Sequence, residues 1–161
     1  MIAVKKIRTL VASLVLVVPA LVSAQAATDS YSNVTDARLI NPEERNWLSY
    51  RGNLEGWGFS MLDEITVDNV ANLEPVWTFS TGVLGGHESP PIVNDGVMFV
   101  TTPGNLLYAI DAASGDLLWR YQHDLPQTYI AFHRTNRGVA LYGDKVYMAT
   151  LDARVVALDA A

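Results

Sequence analysis

Cysteine is absent from all 161 residues, which excludes disulfides, thiolate metal sites and a cysteine nucleophile together. The three histidines, His87, His123 and His133, show no metal-ligand spacing and read as surface or packing residues. No glycine-rich phosphate loop and no local Ser/His/Asp signature occurs. No self-contained catalytic string stands in the chain, so any chemistry has to be assembled by the elements that bring distant residues together.

Half of the residues are hydrophobic and 17% are charged, a globular balance. Met1 is followed by Lys5, Lys6 and Arg8, an uncharged stretch from Thr9 to Val22, and small residues at Ser23, Ala24 and Ala26. This is the pattern of a secretory signal peptide over residues 1–26, cleaved after Ala24 or Ala26. The uncharged stretch falls short of the roughly 20 apolar residues of a membrane span, so stable membrane insertion is not expected. A lipid anchor would need a cysteine at the cleavage site. An exported, periplasmic protein of about 135 residues is therefore expected, held together by packing alone.

Without residues 1–26 the chain carries 8 Lys plus Arg against 17 Asp plus Glu, a net charge of −9. Such a surface excludes a nucleic-acid partner, since phosphate binding relies on basic residues. It suits encounter with a basic protein such as a small electron carrier, where attraction raises the association rate.

Residues 27–76 form a first region. Thr28 to Asn46 is polar, and Asn41-Pro42-Glu43-Glu44 predicts a short helix with proline at its first position. Trp47 to Ser60, rich in glycine and aromatics, reads as an irregular packed segment, and Asp63 to Leu73 as holding one helical turn.

From Trp77 onward the pattern becomes that of strands, and a repeat governs it. Pro91-Ile-Val-Asn-Asp-Gly-Val-Met-Phe-Val-Thr-Thr aligns without a gap on Val139-Ala-Leu-Tyr-Gly-Asp-Lys-Val-Tyr-Met-Ala-Thr, and Leu107-Tyr-Ala-Ile-Asp111 on Val155-Val-Ala-Leu-Asp159, both at an offset of 48. Strands are predicted at Pro91 to Val93, Val97 to Thr101, Leu106 to Asp111 and Leu117 to Gln122, separated by turns at Asn94-Asp95-Gly96, Pro103-Gly104-Asn105 and Ser114-Gly115-Asp116. Four strands in a unit of this length make a propeller blade. Residues 77–161 are expected to hold one blade and most of the next, an all-β partial β-propeller that ends inside a blade.

Ala109-Ile-Asp-Ala-Ala-Ser-Gly-Asp-Leu-Leu-Trp119 links a small residue, a turn glycine and a large indole. Gly115 can take the positive φ of a tight turn, Ala109 leaves room for a ring, and Trp119 supplies apolar area with one donor. The arrangement reads as a staple between adjacent blades. Its ending recurs 42 residues earlier, where Leu73-Glu-Pro-Val-Trp77 matches Gly115-Asp-Leu-Leu-Trp119.

These residues carry a family resemblance. The 109–119 segment resembles the tryptophan-docking motif of eight-bladed quinoprotein propellers. Around it, Trp47-Leu-Ser-Tyr-Arg-Gly52, Trp57-Gly-Phe-Ser60, Pro75-Val-Trp-Thr-Phe79, His87-Glu-Ser-Pro-Pro-Ile92, Gly96-Val-Met-Phe-Val-Thr-Thr102 and Asn136-Arg-Gly-Val-Ala-Leu-Tyr-Gly-Asp-Lys145 are similar, in order and spacing, to the N-terminal part of the methanol/ethanol class of pyrroloquinoline quinone (PQQ)-dependent dehydrogenases. The resemblance runs from about Trp47 to Ala161. It implies that PQQ sits in the central funnel with Ca2+ or a lanthanide acting as Lewis acid. A carboxylate base takes the proton of a primary alcohol, hydride passes to PQQ, and a cytochrome c receives the electrons.

The resemblance also places two cofactor contacts. Glu88 falls where a glutamate of the family hydrogen-bonds to PQQ; otherwise it is a solvated turn carboxylate. Arg137 falls where an arginine reaches the quinone or a cofactor carboxylate, a task that suits a planar, always charged fork; otherwise it is a structural ion-pair partner. Many relatives carry adjacent cysteines forming a disulfide ring over PQQ. Here those positions lie near Ala131, Phe132 and His133, so no such ring forms, and Phe132 is read either as a cover for the cofactor or as a core aromatic. The family's metal-binding glutamate and asparagine, its catalytic aspartate and the tryptophan beneath PQQ are expected beyond residue 161. The chain alone is therefore expected to be inactive and marginally stable. A second reading is a non-catalytic propeller scaffold binding other envelope proteins, since fold does not fix function.

Overall fold

The structure, a computed structural model, describes residues 31–130 and 132–161. The leader expected at 1–26 lies outside them. Two antiparallel sheets carry the architecture. The first has four strands in sequential order, β1 (Ile92–Asn94), β2 (Val97–Thr102), β3 (Leu106–Asp111) and β4 (Leu117–Gln122); the second has three, β5 (Val139–Tyr142), β6 (Lys145–Ala149) and β7 (Val155–Asp159).

The 48-residue repeat is reproduced pair by pair. Phe99 faces Ala109 in the first sheet and Tyr147 faces Ala157 in the second; Met98 faces Ile110 as Val146 faces Leu158; Ile92 faces Phe99 as Ala140 faces Tyr147. A one-residue slip would turn every side chain to the opposite face, so the shared register assigns equivalent side chains to equivalent faces of the two sheets. Along β2 the buried residues include Val97, Phe99 and Thr101 and along β6 they are Val146 and Met148, which the 48-residue offset places on Met98 and Val100, so the two sheets turn opposite faces of the repeat to the core they share. In β3 the run Leu107 to Ile110 is covered on both faces, as befits an inner strand.

The core joins the two sheets. Ile92, Val97, Phe99, Leu107 and Ala109 of the first pack with Leu141, Val146 and Met148 of the second, together with Val34, Leu48 and Ala160. Phe99 stands at its centre, with Trp119 tilted against it at a centroid distance of 5.9 Å and Tyr31 edge-on at 6.4 Å.

Residues 31–48 are fastened to one end of this core. Val34 bridges to Gly143 and Trp47 to Val93 through paired backbone hydrogen bonds. Arg38 donates to both carboxylate oxygens of Glu43 at 2.7 and 3.0 Å, to Asn94 Oδ1 at 2.8 Å, and to the carbonyls of Ser32 and Asn33. Asp95, in the β1–β2 turn, accepts from Ser32 N–H, Arg45 and Asn46.

Three local expectations are corrected. The helix, α1 (Asp36–Ile40), precedes the predicted Asn41–Glu44 segment: Thr35 caps it through Arg38 N–H, and Pro42 forces Asn41 out of helical conformation, at φ −134° and ψ 79°. The 47–60 segment is packed only at its start. Leu48 is buried, whereas Tyr50, Leu54, Trp57 and Phe59 are each about two-thirds exposed. Trp77 to Pro91 enters no ladder among the described residues; Gly82 and Gly85 sit at positive φ and two prolines, Pro90 and Pro91, withhold the N–H groups a strand would need. A single 3-10 turn, Val70–Asn72, matches the helical turn expected between Asp63 and Leu73.

The stapling geometry is seen at Trp77. Its indole lies over Gly115, which has φ +78°, so closely that a Cβ there would stand 2.6 Å from a ring carbon. The indole N–H donates to Ala112 O at 3.2 Å. Trp119, the equivalent of Trp77 at an offset of 42, has its indole N–H buried without a partner among the described residues.

Candidate functional site

The end of the first sheet opposite the Trp77 staple gathers three loops. One runs from Thr81 to Pro90 before β1, one is the β2–β3 turn at Pro103–Asn105, and one runs from Phe132 to Gly138 before β5. Between them opens a cleft of about 450 Å³, lined among others by Leu84, Gly86, Gly104, Gln122, Phe132 and Arg134. That volume is within the roughly 300–1,000 Å³ of small-molecule sites.

Glu88 and Arg137 leave the first and third of these loops and meet. Arg137 Nε donates to Glu88 Oε2 at 3.0 Å, although 49 positions separate the two residues. The repeat explains the meeting: Glu88 stands three residues before Pro91 and Asn136 three before Val139, so Glu88 and Asn136 are equivalent positions and Arg137 is the next residue. Both side chains face solvent, Arg137 78% and Glu88 50% exposed. An ion pair this open contributes only about 0–1 kcal/mol. It cannot be what holds the loops together.

Buried polar contacts hold them instead. β1 begins only at Ile92, opposite Phe99, so β2 runs on past its neighbour, and the Thr101 N–H that no β1 residue reaches is taken by Ser89 Oγ at 3.0 Å. The Thr101 hydroxyl donates across to Asn136 O at 3.3 Å. Asn136, 5% exposed, donates through Nδ2 to Ala149 O at 2.9 Å and Asn105 Oδ1 at 3.2 Å. Its Oδ1 accepts Gly138 N–H at 3.2 Å, closing a turn around the backbone of Arg137. Gly138, at φ +111°, lies against Pro90 and Ser89, where an added Cβ would touch both at 3.4 to 3.5 Å.

Two of the three histidines are tied into local structure, and the third, His133, is exposed at the cleft. His123, just after β4, meets Asp152 of the β6–β7 loop at 3.0 Å and so bridges the two sheets. Hydrogen bonds from the Thr150 hydroxyl and from His123 hold the Asp152 carboxyl below the usual carboxylate range against the opposing effect of burial. His87 contacts Thr81 Oγ1 and Gly85 O, both at 3.0 Å. Among the described residues no group of three or more His, Cys, Asp or Glu side chains gathers as metal ligands. Phe132 is fully exposed at the cleft, so it is not a core aromatic. Thr101, Ser89 and the side chain of Asn136 were not singled out by sequence reading; the available signal was the equivalence of Glu88 and Asn136 in the repeat.

The glucose/ethanol/alcohol dehydrogenase β-propeller family of PQQ proteins matches residues 47–161. The quinoprotein alcohol dehydrogenase PedH of Pseudomonas putida is 38% identical over 148 residues, which are 89% of this chain and 24% of that protein. The crystal structure of quinohemoprotein alcohol dehydrogenase from Comamonas testosteroni superposes with a TM-score of 0.75 at 30% identity, covering 85% of this chain and 21% of that one. A europium-containing methanol dehydrogenase superposes with a TM-score of 0.72 at 32% identity, covering 78% and 23%. The chain thus spans about a fifth to a quarter of the length of the proteins it matches.

Proposed function

From the premise that the chain belongs to the glucose/ethanol/alcohol dehydrogenase β-propeller family of PQQ proteins, we propose that it is the N-terminal part of a periplasmic quinoprotein that oxidises primary alcohols. In this reading residues 1–26 direct export, 27–76 pack on the propeller, and 77–161 contribute its first blades. The observation that supports it is the meeting of Glu88 and Arg137, from equivalent loops of two repeats whose residues Gly86 and Thr135 line an open cleft.

The donor set fits PQQ, an acidic ortho-quinone. Arg137 uses only Nε on Glu88, and its two terminal nitrogens make no hydrogen bond among the described residues. They present a fork suited to cofactor carboxylate or quinone oxygens. Glu88 supplies the acceptor for an N–H group of the cofactor. When bound between these residues, PQQ would supply the two-electron oxidant that an alcohol dehydrogenation needs, as the acceptor for a hydride from the alcohol carbon. The Arg137 guanidinium would favour negative charge developing on the quinone oxygens.

The cation, Ca2+ or a lanthanide, and the catalytic base are assigned to parts of the full-length protein outside this chain. One relative in the same fold is named for its europium. The acidic surface is suited to a cytochrome c as electron acceptor, which would be drawn in by charge.

The test is to express the full-length protein, load it with PQQ and Ca2+ or a lanthanide, and follow dye reduction with ethanol alongside equilibrium binding of PQQ. Glu88→Ala and Arg137→Ala are expected to weaken PQQ binding and lower activity. Activity and binding untouched by either change would remove both assignments. Absence of any alcohol-dependent dye reduction would favour the non-catalytic scaffold.

A further inference from the structure

We propose that Thr101 is a positioning residue for the cofactor site, setting Glu88 and Arg137 in register through one buried residue; this rests on the cofactor reading above. Three observations carry it. Thr101 is fully buried. Its two polar groups go to different loops, the N–H to Ser89, next to Glu88, and the hydroxyl to the carbonyl of Asn136, next to Arg137. Those loops stand at equivalent places in two successive repeats, so Thr101 fixes the spacing between one sheet and the next where the two charged side chains meet.

The alternatives for this task are weaker. The Glu88–Arg137 contact is too exposed to set its own geometry. Gly138 permits close approach to Ser89 and Pro90 but has no side chain with which to hold it. Asn136 fixes the backbone of Arg137 locally, through Gly138 N–H, and anchors it to the second sheet through Ala149. Of this set, Thr101 alone bonds to both loops. A loose ion pair would still attract an anionic quinone, yet each arrangement in which the fork and the carboxylate are apart would lower the fraction of protein competent to bind.

The test uses the full-length protein and measures the PQQ dissociation constant by quenching of tryptophan fluorescence, with the KM and kcat for ethanol beside it. Thr101→Val keeps the volume and the N–H but removes the hydroxyl donor; Thr101→Ser keeps the donor. Thr101→Val is expected to weaken PQQ binding roughly five- to tenfold, the worth of about one hydrogen bond, with Thr101→Ser restoring it. In an Arg137→Ala background Thr101→Val is expected to have no further effect, since the residue it positions is gone. Additive losses in that background, or lower thermal stability with unchanged PQQ affinity, would overturn the positioning role. If Arg137→Ala itself leaves PQQ affinity unchanged, the cofactor reading falls and this proposal with it; if Arg137→Ala weakens binding and Thr101→Val does not, only the positioning role falls. Should Thr101→Val fail to fold, Ser89→Ala, which removes the acceptor on the Glu88 side, is expected to weaken PQQ binding in the wild-type but not in the Glu88→Ala background. Unchanged affinity in that variant would equally overturn the proposal.

Discussion

Replacing Gly115 by alanine separates the two reasons for a glycine at the Trp77 staple. At φ +78° any side chain meets left-handed strain of about 1–2 kcal/mol, offset in part by the reduced freedom of the unfolded chain, about 0.4–1 kcal/mol. Gly96, in the same sheet at φ +84°, carries the same strain but faces open space. Gly96→Ala is therefore expected to cost about 1 kcal/mol. At Gly115 the new Cβ would lie 2.6 to 2.8 Å from three carbons of the Trp77 ring, where a comfortable separation is about 3.5 Å or more. The indole has to move away by nearly that difference, losing its hydrogen bond to Ala112, about 1 kcal/mol, and part of its packing, about another 1 kcal/mol. Gly115→Ala is thus expected to cost about 3 kcal/mol, roughly 2 more than Gly96→Ala. Urea unfolding followed by tryptophan fluorescence reads both values from the midpoints. Equal losses in the two variants would refute the claim that Trp77 and Gly115 clamp the blade together.

Arg38→Met removes the donor to Glu43, Asn94, Ser32 and Asn33 from a largely buried position; it is expected to lower stability by about 2–4 kcal/mol in the same urea assay. Hydrogen bonds from Arg38 and Asn46 pull the Glu43 carboxyl from 4.5 down to about 2, so its contribution is complete above pH 4.5 and is lost as the pH falls through about 2. Asp95 adds to the same loss: burial acts to raise its pKa, but hydrogen bonds from Ser32 and Asn46 and the charge of Arg38 bring it below 3.8. Melting temperatures measured between pH 5 and pH 2 should fall, and should fall less in Glu43→Gln. The isolated chain, with Leu84, Val67, Val76 and Phe132 each more than 85% exposed, is expected to self-associate; sedimentation showing a monomer at all concentrations would contradict this.

The repeat made the sheets legible before any coordinates. Strands β3 and β4 have the bounds that alternation and turn residues predict, and the 48-residue offset is also the offset between the two registers. Local rules failed where tertiary contacts or competing signals decide. Proline at residue 42 suggested a helix start, but Thr35 supplied a cap earlier and the same proline ended the helix. Aromatics at Trp57 and Phe59 suggested a packed segment, yet both rings stay about two-thirds exposed. Glu88 and Arg137 were assigned to the cofactor by family pattern. Their contact follows from the repeat, whereas the hydrogen bonds of Thr101 and Asn136 to Ser89, to each other, to Asn105 and to Ala149 span 12 to 35 residues and leave no mark in local spacing.

A crystal structure of the full-length protein with PQQ bound tests the central claim most directly. The account predicts that the Arg137 guanidinium and the Glu88 carboxylate both lie within hydrogen-bond distance of the cofactor, with the Thr101–Asn136 bond intact beneath them. A cofactor held elsewhere, with Glu88 and Arg137 paired to each other in solvent, would contradict it.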